Sequence, residues 1–356
     1  MIWGFEKMII KSIYLENFRN HNERFFEFKD GINLILGKNA SGKTNLLEAI
    51  YFCLCGKSFK SKDTNLISFD SEYFKLEASV LANDVEYGIL CYVDRLGQKR
   101  IMINEKKINR LSELIEKFKF VYFEPDSTEL IKQDPKVRRK FLDMEVAKLY
   151  PYMIKTFQDY QKALMSRNAF LKSYDKKDII DVYDIELSKL GCQILKKREE
   201  TIKRLSEATK EIWYKVFEDK STIDIVFRPS IPSSSEEEYY SQLKKQFEKD
   251  VQMGFTTKGV HRDDFDVFIN GQNAKEYASE GQIKFACIAI SLASAKLFEK
   301  PVLLLDDIFS ELDSEKRKNV LKLCKDYQAI ITSADEKDSL VKTGLLSHDI
   351  NNLIQL

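Results

Sequence analysis

The chain has 356 residues, with 57 Lys or Arg against 56 Asp or Glu and a formal charge of +1. A hydrophobic share of 44% can fill packed interiors, and 13 Gly with 6 Pro exclude collagen-like and low-complexity chains. The balanced charge excludes a globally basic protein, so any nucleic-acid contact must come from local patches.

The length predicts about two to three domains. No apolar run reaches the ~18 residues of a membrane span, which points to a cytoplasmic protein with no membrane partner. Met1–Lys7 carries no long apolar run or small-residue cleavage site, and Met8 opens a strand-like run. Residues 1–7 are therefore expected to be an upstream-start extension. The six cysteines (53, 55, 91, 192, 287 and 324) lack zinc-ribbon spacing and read as reduced core thiols. The three histidines, at 21, 261 and 348, are too scattered for a metal cluster.

Met8–Tyr14 reads as a strand, Phe25, Phe26 and Phe28 as a second, and Ile32–Leu36 as a short buried one stopped by Gly37. After Thr44, apolar residues at 46, 47, 49, 50 and 52 recur at helical spacing. Glu77–Leu81 and Val85–Val93, joined by Asn83-Asp84 and followed by Ile101–Ile103, predict an antiparallel meander. From Leu142 to Leu171 apolar residues step at helical intervals, with Pro151 expected at a helix start. A second stripe runs from Leu187 to Val216, and together they predict a helical hairpin or small bundle. Ser230–Glu238 is polar and turn-rich, so it reads as flexible, with a helix near 239–253. Asp266–Ile269 leads into Asn270-Gly271, a hairpin turn signal. The last third predicts a helix from 280, a strand at 302–305, a helix near 314–326 and a strand at 328–331. The expected divisions are 8–134 and 254–356 as two parts of one domain, with a helical domain at 135–253 inserted between them.

Gly37-Lys38-Asn39-Ala40-Ser41-Gly42-Lys43-Thr44 matches G-x-x-x-x-G-K-[ST] between a strand and a helix, the context this phosphate loop requires. Its glycines let successive backbone N–H groups surround a phosphate, and the helix that begins there turns its positive end to the anion. Lys43 can reach the β- and γ-phosphates of ATP, and the Thr44 hydroxyl can ligate Mg²⁺. Val302–Leu305 ends in Asp306 and Asp307. Asp306 is the expected magnesium-side acid, and Asp307 the group that orients or deprotonates the attacking water. Ser279-Glu280-Gly281-Gln282 has capping-box spacing ahead of an apolar helix, so it marks a helix N-terminus able to bind a second anion.

Placed ahead of an acidic strand end, that segment resembles the signature of ATP-binding-cassette ATPases, and Ser310-Glu311-Leu312-Asp313 resembles their D-loop. This resemblance implies an α/β, ABC-type ATPase head: a P-loop mixed sheet with an antiparallel β subdomain, plus an inserted helical domain. It also implies that Ser279–Gln282 acts on ATP held by a second copy, making ATP the adhesive of a homodimer.

Leu15–His21 (LENFRNH), Gly37–Ile50, Gly56–Ser61 (GKSFKS), Phe123–Asp126, Arg138–Asp143 (RRKFLD), Gln161–Lys172 with Arg167-Asn168, and Gly259–Asp264 (GVHRDD) carry a closer resemblance, to the bacterial RecF family of recombination-repair proteins. This similarity adds Arg19 and Asn20 to the nucleotide-binding set. It implies an ATP-dependent protein that binds duplex and gapped DNA and works with RecO and RecR in loading the recombinase RecA on single-stranded gaps, with weak ATP hydrolysis as a reset. The departures are His21 for Tyr, Val260 for Pro, Ser166 for Gln, Glu280 for a transporter signature Gly, and Asp307 for the transporter Glu. No His follows the strand at 329–331, and Thr332 is the nearest γ-phosphate sensor candidate.

Local basic clusters at Lys57, Lys60 and Lys62, at Arg138, Arg139 and Lys140, and at Lys196, Lys197 and Arg198 are the candidate DNA contacts, with the first favoured. The alternative reading is an SMC-like or nuclease-associated ATPase, and, further off, a transporter nucleotide-binding subunit, against which the inserted helical region and the Asn17-Phe18-Arg19-Asn20 opening speak. Chromosome-organising and nuclease-associated ATPases need long heptad arms that this chain lacks.

Overall fold

A computed structural model of the chain describes residues 7–124, 128–172, 177–217, 221–310, 312–334 and 350–356. Residues 1–6 of the expected N-terminal extension, Pro125, Asp126, Glu311 and His348 lie outside the described residues. One compact unit gathers residues up to 127, 211–219 and 284 onward, and the other gathers 128–210 and 220–283.

In the first unit the strands are β1 (Ile9–Phe18), β2 (His21–Glu27), β3 (Ile32–Leu36), β4 (Tyr73–Ala82), β5 (Val85–Asp94), β6 (Lys99–Ile103), β7 (Lys106–Lys107) and β8 (Phe120–Phe123). Helix α1 (Lys43–Cys55) follows β3, and α2 (Ser112–Lys117) precedes β8. An antiparallel sheet has the order β2-β1-β4-β5-β6-β7. Its tight turns put two consecutive residues at positive φ, Asn83-Asp84 (52° and 57°) and Asn104-Glu105 (48° and 65°). That conformation suits the twist of paired strands and favours Asn and Asp.

The second unit holds α3 (Glu129–Lys132), α4 (Pro135–Leu149), α5 (Met153–Leu171), most of α6 (Lys177–Phe217), β9 (Ile223–Arg228), α7 (Glu236–Met253), β10 (Asp264–Ile269), β11 (Gln272–Asn273) and α8 (Ala274–Tyr277). Pro135, not Pro151, opens a helix; Pro151 lies in the turn ahead of α5. Proline gives no N–H, so a first helical turn or a turn between helices suits it equally. The stretch at 230–238 is not loose. Ser235 caps α7 by accepting from the Glu238 N–H, while Glu238 accepts from the Ser234 N–H. Residues 254–283, expected with the C-terminal part, belong to this unit, where β10 pairs with β9 along its whole length, while 211–219, expected in the helical domain, belong to the first unit. Asn270-Gly271, at φ 51° and 75°, closes the β10–β11 hairpin.

Helix α9 (Glu280–Ala295) leads back into the first unit, followed by β12 (Val302–Leu305), α10 (Ser314–Cys324), β13 (Ala329–Ser333) and β14 (Ile350–Gln355). These complete a parallel sheet of order β14-β3-β13-β12-β8. All residues of β3, β12 and β13 are buried, as strands covered on both faces must be. The observed class is therefore the expected one, an α/β ATPase head with an inserted, mainly helical domain. Helix α1 starts at the C-terminal end of β3, where β12 and β13 also end; open α/β sheets bind ligands there. The described cysteines are unbridged, and all but Cys192 are buried.

Candidate nucleotide site

The loop from Gly37 to Gly42 bends back between β3 and α1. Gly42 sits at φ 104°, reachable at low cost only without a Cβ, and a Cβ there would lie 2.7 Å from the Asn20 amide oxygen. A Cβ on Gly37 would lie 2.5 Å from the Ser41 hydroxyl and 2.7 Å from the Leu356 carbonyl. Gly42 is therefore fixed by space as well as by backbone, and Gly37 by space. Lys43 folds over the loop and donates to the carbonyls of Gly37 (2.7 Å) and Lys38 (2.9 Å). Burial lowers its pKa, opposed by Asp307 and Asp306.

The acids arrive from the end of β12. The Asp306 N–H donates to the Phe123 carbonyl of β8 at 2.9 Å. Its Oδ2 accepts from the Thr44 hydroxyl at 2.8 Å, and its Oδ1 from the Thr332 hydroxyl at 2.6 Å. Thr44 and Asp306, which the two motifs assign to one magnesium ion, are thus hydrogen-bonded to each other across 262 residues. Asp307 adopts φ 44° and donates its N–H to the Thr332 oxygen at 2.9 Å. Burial raises the Asp307 pKa, and the neighbouring Asp306 adds to that. Thr332 thus spends its only proton on Asp306, which leaves none for a γ-phosphate in this arrangement. Ala334, which lines the pocket, offers no polar side chain for that task.

Asn39, Gly42, Lys43, Thr44, Asp306 and Asp307 surround a cavity of about 360 Å³. A second, more open cavity of about 520 Å³ shares Asn20 and Asn45 with it and has Arg19, Arg95 and Phe69 in its wall. The Phe69 ring is 94% exposed, yet its backbone is pinned by Arg95, which donates to the Phe69 and Ser68 carbonyls.

The turn between β1 and β2 braces the loop. Asn20 accepts from the Asn45 amide at 2.8 Å, and His21 Nε2 meets the Gly42 carbonyl at 3.1 Å. Burial lowers the His21 pKa. Arg19 turns to Glu48 of α1, donating at 2.9 and 3.2 Å, and Glu48 is only 1% exposed. The same carboxylate accepts from the Ser58 hydroxyl at 2.6 Å, and Arg19 also donates to Ser61 at 3.1 Å. Sequence reading missed Glu48, because a carboxylate on the apolar side of α1 has no local signature of its partners.

The model of the RecF/RecN/SMC N terminal domain matches residues 9–343. Over 341 residues the chain is 36% identical to the DNA replication and repair protein RecF of Clostridium beijerinckii, covering 93% of each. The chain belongs to the RecF family. The RecF of Clostridium tetani is 37% identical over 339 residues, covering 91% of this chain and 92% of that one. Among solved structures, the recombination mediator protein RecF with ATP superposes with a TM-score of 0.86 at 32% identity, covering 95% of each chain. The Smc head of Pyrococcus furiosus, at 18% identity and a TM-score of 0.56 over 94% of this chain and 92% of that one, shares the fold.

In the second unit, Ser279 and Gln282 form a reciprocal cap: the Gln282 N–H donates to the Ser279 hydroxyl (3.3 Å) and the Ser279 N–H to the Gln282 side chain (2.9 Å). No heavy atom lies within 4 Å of where a Gly281 Cβ would stand, and Glu280, 82% exposed, pairs with Lys132 at 2.8 Å. In the first unit, Ser310 donates to the Asp307 carbonyl at 2.9 Å, and Asp313 caps α10 by accepting from the Lys316 N–H.

In two of the three basic clusters the arginines are structural, while Lys140 and Lys196 are exposed. Arg138, 5% exposed, forks onto Asp264 at 2.6 and 2.9 Å, while Arg139 donates to the Asp263 carbonyl. Arg198, 3% exposed, joins Asp143, Asp263 and the Val260 carbonyl, and Lys197 pairs with Glu200. A run of charges in sequence does not reveal a buried partner far along the chain. Lys57, Lys60 and Lys62 are exposed, with Lys60 3.6 Å from Glu124. Their segment is anchored by Phe59, stacked on Tyr122 at 4.3 Å, as well as by Ser58 and Ser61.

The RecF stretches of α5 and of 259–264 also build the core of the second unit. Arg167, fully buried, donates to Asp184 (2.6 Å), Asp250 (2.7 Å) and Thr256 (2.8 Å). Asn168 accepts from the Thr256 N–H and hydroxyl. His261 Nε2–H donates to the Thr256 carbonyl, a pure acceptor, so Nδ1 accepts from the Tyr160 hydroxyl; both distances are 3.0 Å. Burial lowers the His261 pKa to about 4.

Proposed function

We propose that this chain is an ATP-gated, DNA-binding switch of recombinational repair and replication restart. Its membership of the RecF family supports a role in DNA replication and repair with use of ATP. The observation that carries the reading is the convergence of the phosphate loop with Thr44 and Asp306, residues far apart in sequence that share one hydrogen bond at the mouth of one cavity. A triphosphate in that cavity meets the N–H groups of residues 38–44 and Lys43. The nucleoside end then belongs in the neighbouring cavity, against Phe69.

The residues fit a magnesium ion. Thr44 and Asp306 present hard oxygen donors side by side, and Mg²⁺ takes one or two protein oxygens together with phosphate and water. Bound there, the ion would neutralise the charge that develops on the transferred phosphoryl group. Asp307, held on a strained backbone next to Asp306, is the acid we assign to orienting water. Its side chain is shorter than a Glu, which suits slow hydrolysis used as a reset.

Ser279, Glu280, Gly281 and Gln282 present a capped helix N-terminus that acts on the triphosphate of a second copy, so that ATP closes a homodimer. Ser310 and Asp313 flank the same joint. Lys57, Lys60 and Lys62 carry DNA, duplex or gapped, and RecR and RecO are the partners expected of the family.

The test measures DNA binding and sedimentation with and without ATP, on duplex, gapped and single-stranded substrates at several salt concentrations. A non-hydrolysable analogue with Mg²⁺ should produce a dimer in the parent and none in Lys43→Met. Replacing the three lysines with alanine should flatten the salt slope by up to about three phosphate contacts. A parent that stays monomeric with saturating analogue and Mg²⁺ refutes the gating, and an unchanged salt slope refutes the assignment of the lysines.

A further inference from the structure

Thr332 is the first polar residue of a strand whose preceding positions, Ala329, Ile330 and Ile331, are apolar and buried, and it is itself 0% exposed. A hydroxyl at that depth costs stability unless both its proton and its oxygen are used. Both are: the proton goes to Asp306 Oδ1 at 2.6 Å, and the oxygen takes the Asp307 N–H at 2.9 Å. The hydrogen bond to Asp306 involves a charged acceptor and is of the stronger kind.

From this geometry we infer that Thr332 is a positioning residue for the two acids, an inference resting on the ATP and magnesium reading of the site. The two oxygens of Asp306 have separate tasks. Oδ2 faces Thr44, and these are the oxygens a cation would share. Oδ1 faces Thr332, so the hydroxyl fixes the carboxylate's rotation without competing for the other oxygen. The Asp306 backbone is fixed independently through Phe123. The same hydroxyl holds Asp307 in its left-handed turn, a conformation that a non-glycine residue keeps only when its surroundings enforce it. One side chain on β13 thus sets the relative placement of the metal-side acid and the water-side acid.

The experiment compares the parent with Thr332→Val and Thr332→Ser. The affinity for a non-hydrolysable ATP analogue is measured in EDTA and in Mg²⁺, and Mn²⁺ binding is followed by electron paramagnetic resonance. In EDTA all three should bind alike, since the phosphate loop is untouched. The gain on adding metal should fall ten- to hundredfold in Thr332→Val, as loss of a hydrogen bond that orients a metal ligand does, and persist in Thr332→Ser. A purely packing role predicts the reverse order, because valine keeps the branched shape and serine loses it. Full metal gain in Thr332→Val, or equal loss in Thr332→Ser, overturns the assignment. If Thr332→Val does not fold, Thr332→Cys takes its place, with a weaker donor and an intermediate loss expected. A parent with no analogue binding, or with none of the metal gain, refutes the underlying site reading and the role of Thr332 with it.

Discussion

Arg167→Met is the perturbation whose cost follows most directly from the packing. Arg167, Asp184 and Asp250 are all 0% exposed, and the guanidinium gives two charge-assisted hydrogen bonds to the two acids and one to Thr256. Methionine keeps much of the volume but strands two carboxylates away from water. Breaking a buried ion pair on one side typically costs about 3–5 kcal/mol. With a urea m-value of about 2 kcal/mol per M, the midpoint for the second unit should drop by roughly 2 M. Far-UV circular dichroism reports it, since α4–α7 lie largely in that unit. Burial already raises the Asp184 pKa, with Arg167 opposing. Without the arginine the rise is larger, and a carboxylate raised above its unfolded value destabilises at high pH and is relieved as pH falls. The deficit should therefore shrink as the pH is lowered from neutral. Replacing all three charges with apolar residues of similar volume should restore most of the loss. A midpoint within about 0.3 M of the parent for Arg167→Met, or a triple variant as weak as the single one, would refute the reasoning.

Phe69→Ala should weaken ATP binding by about 5- to 150-fold, the worth of one base stacked on an aromatic ring, and leave inorganic triphosphate unaffected; equal effects on both ligands would remove the base from that cavity. The imidazole of His261 should titrate near pH 4 by NMR instead of near 6.5. Its folded pKa is depressed, so its contribution is complete above pH 6.5 and is lost as pH falls through 4. Relative to His261→Asn, the parent should lose up to about 3 kcal/mol over that interval, whereas Asp263, raised by burial to about 6, shifts both proteins alike in the opposite sense. Parallel acid limbs in the two proteins would contradict this.

Much of the fold was legible because its signals are local. The phosphate loop needs glycines at fixed offsets, β3 and β12 are apolar runs closed by Gly37 and by two acids, and Ser279 with Gln282 spells a cap within four residues. Asn270-Gly271 dictates its own turn. What stayed hidden depends on partners distant in sequence. Strand β8 is four residues long, while β9 (IDIVFR) and β14 (INNLIQ) keep no strict polar–apolar alternation, so the period-2 signal of a strand is missing from their sequences. Arg138 and Arg198 looked like surface charge because Asp264 and Asp143 lie elsewhere in the chain. Glu48 and Thr332 show their importance only through the groups they touch.

Glu48 constrains any attempt to build hybrids from related chains. One buried carboxylate is the common anchor of the β1–β2 turn and of the lysine-bearing segment, through Arg19 and Ser58. Grafting another protein's lysine loop onto this head without a hydroxyl at 58 would leave the anchor with an empty lone pair beneath the graft. The unit that can be exchanged is therefore the loop together with its serines, and the lysines alone are the part free to vary.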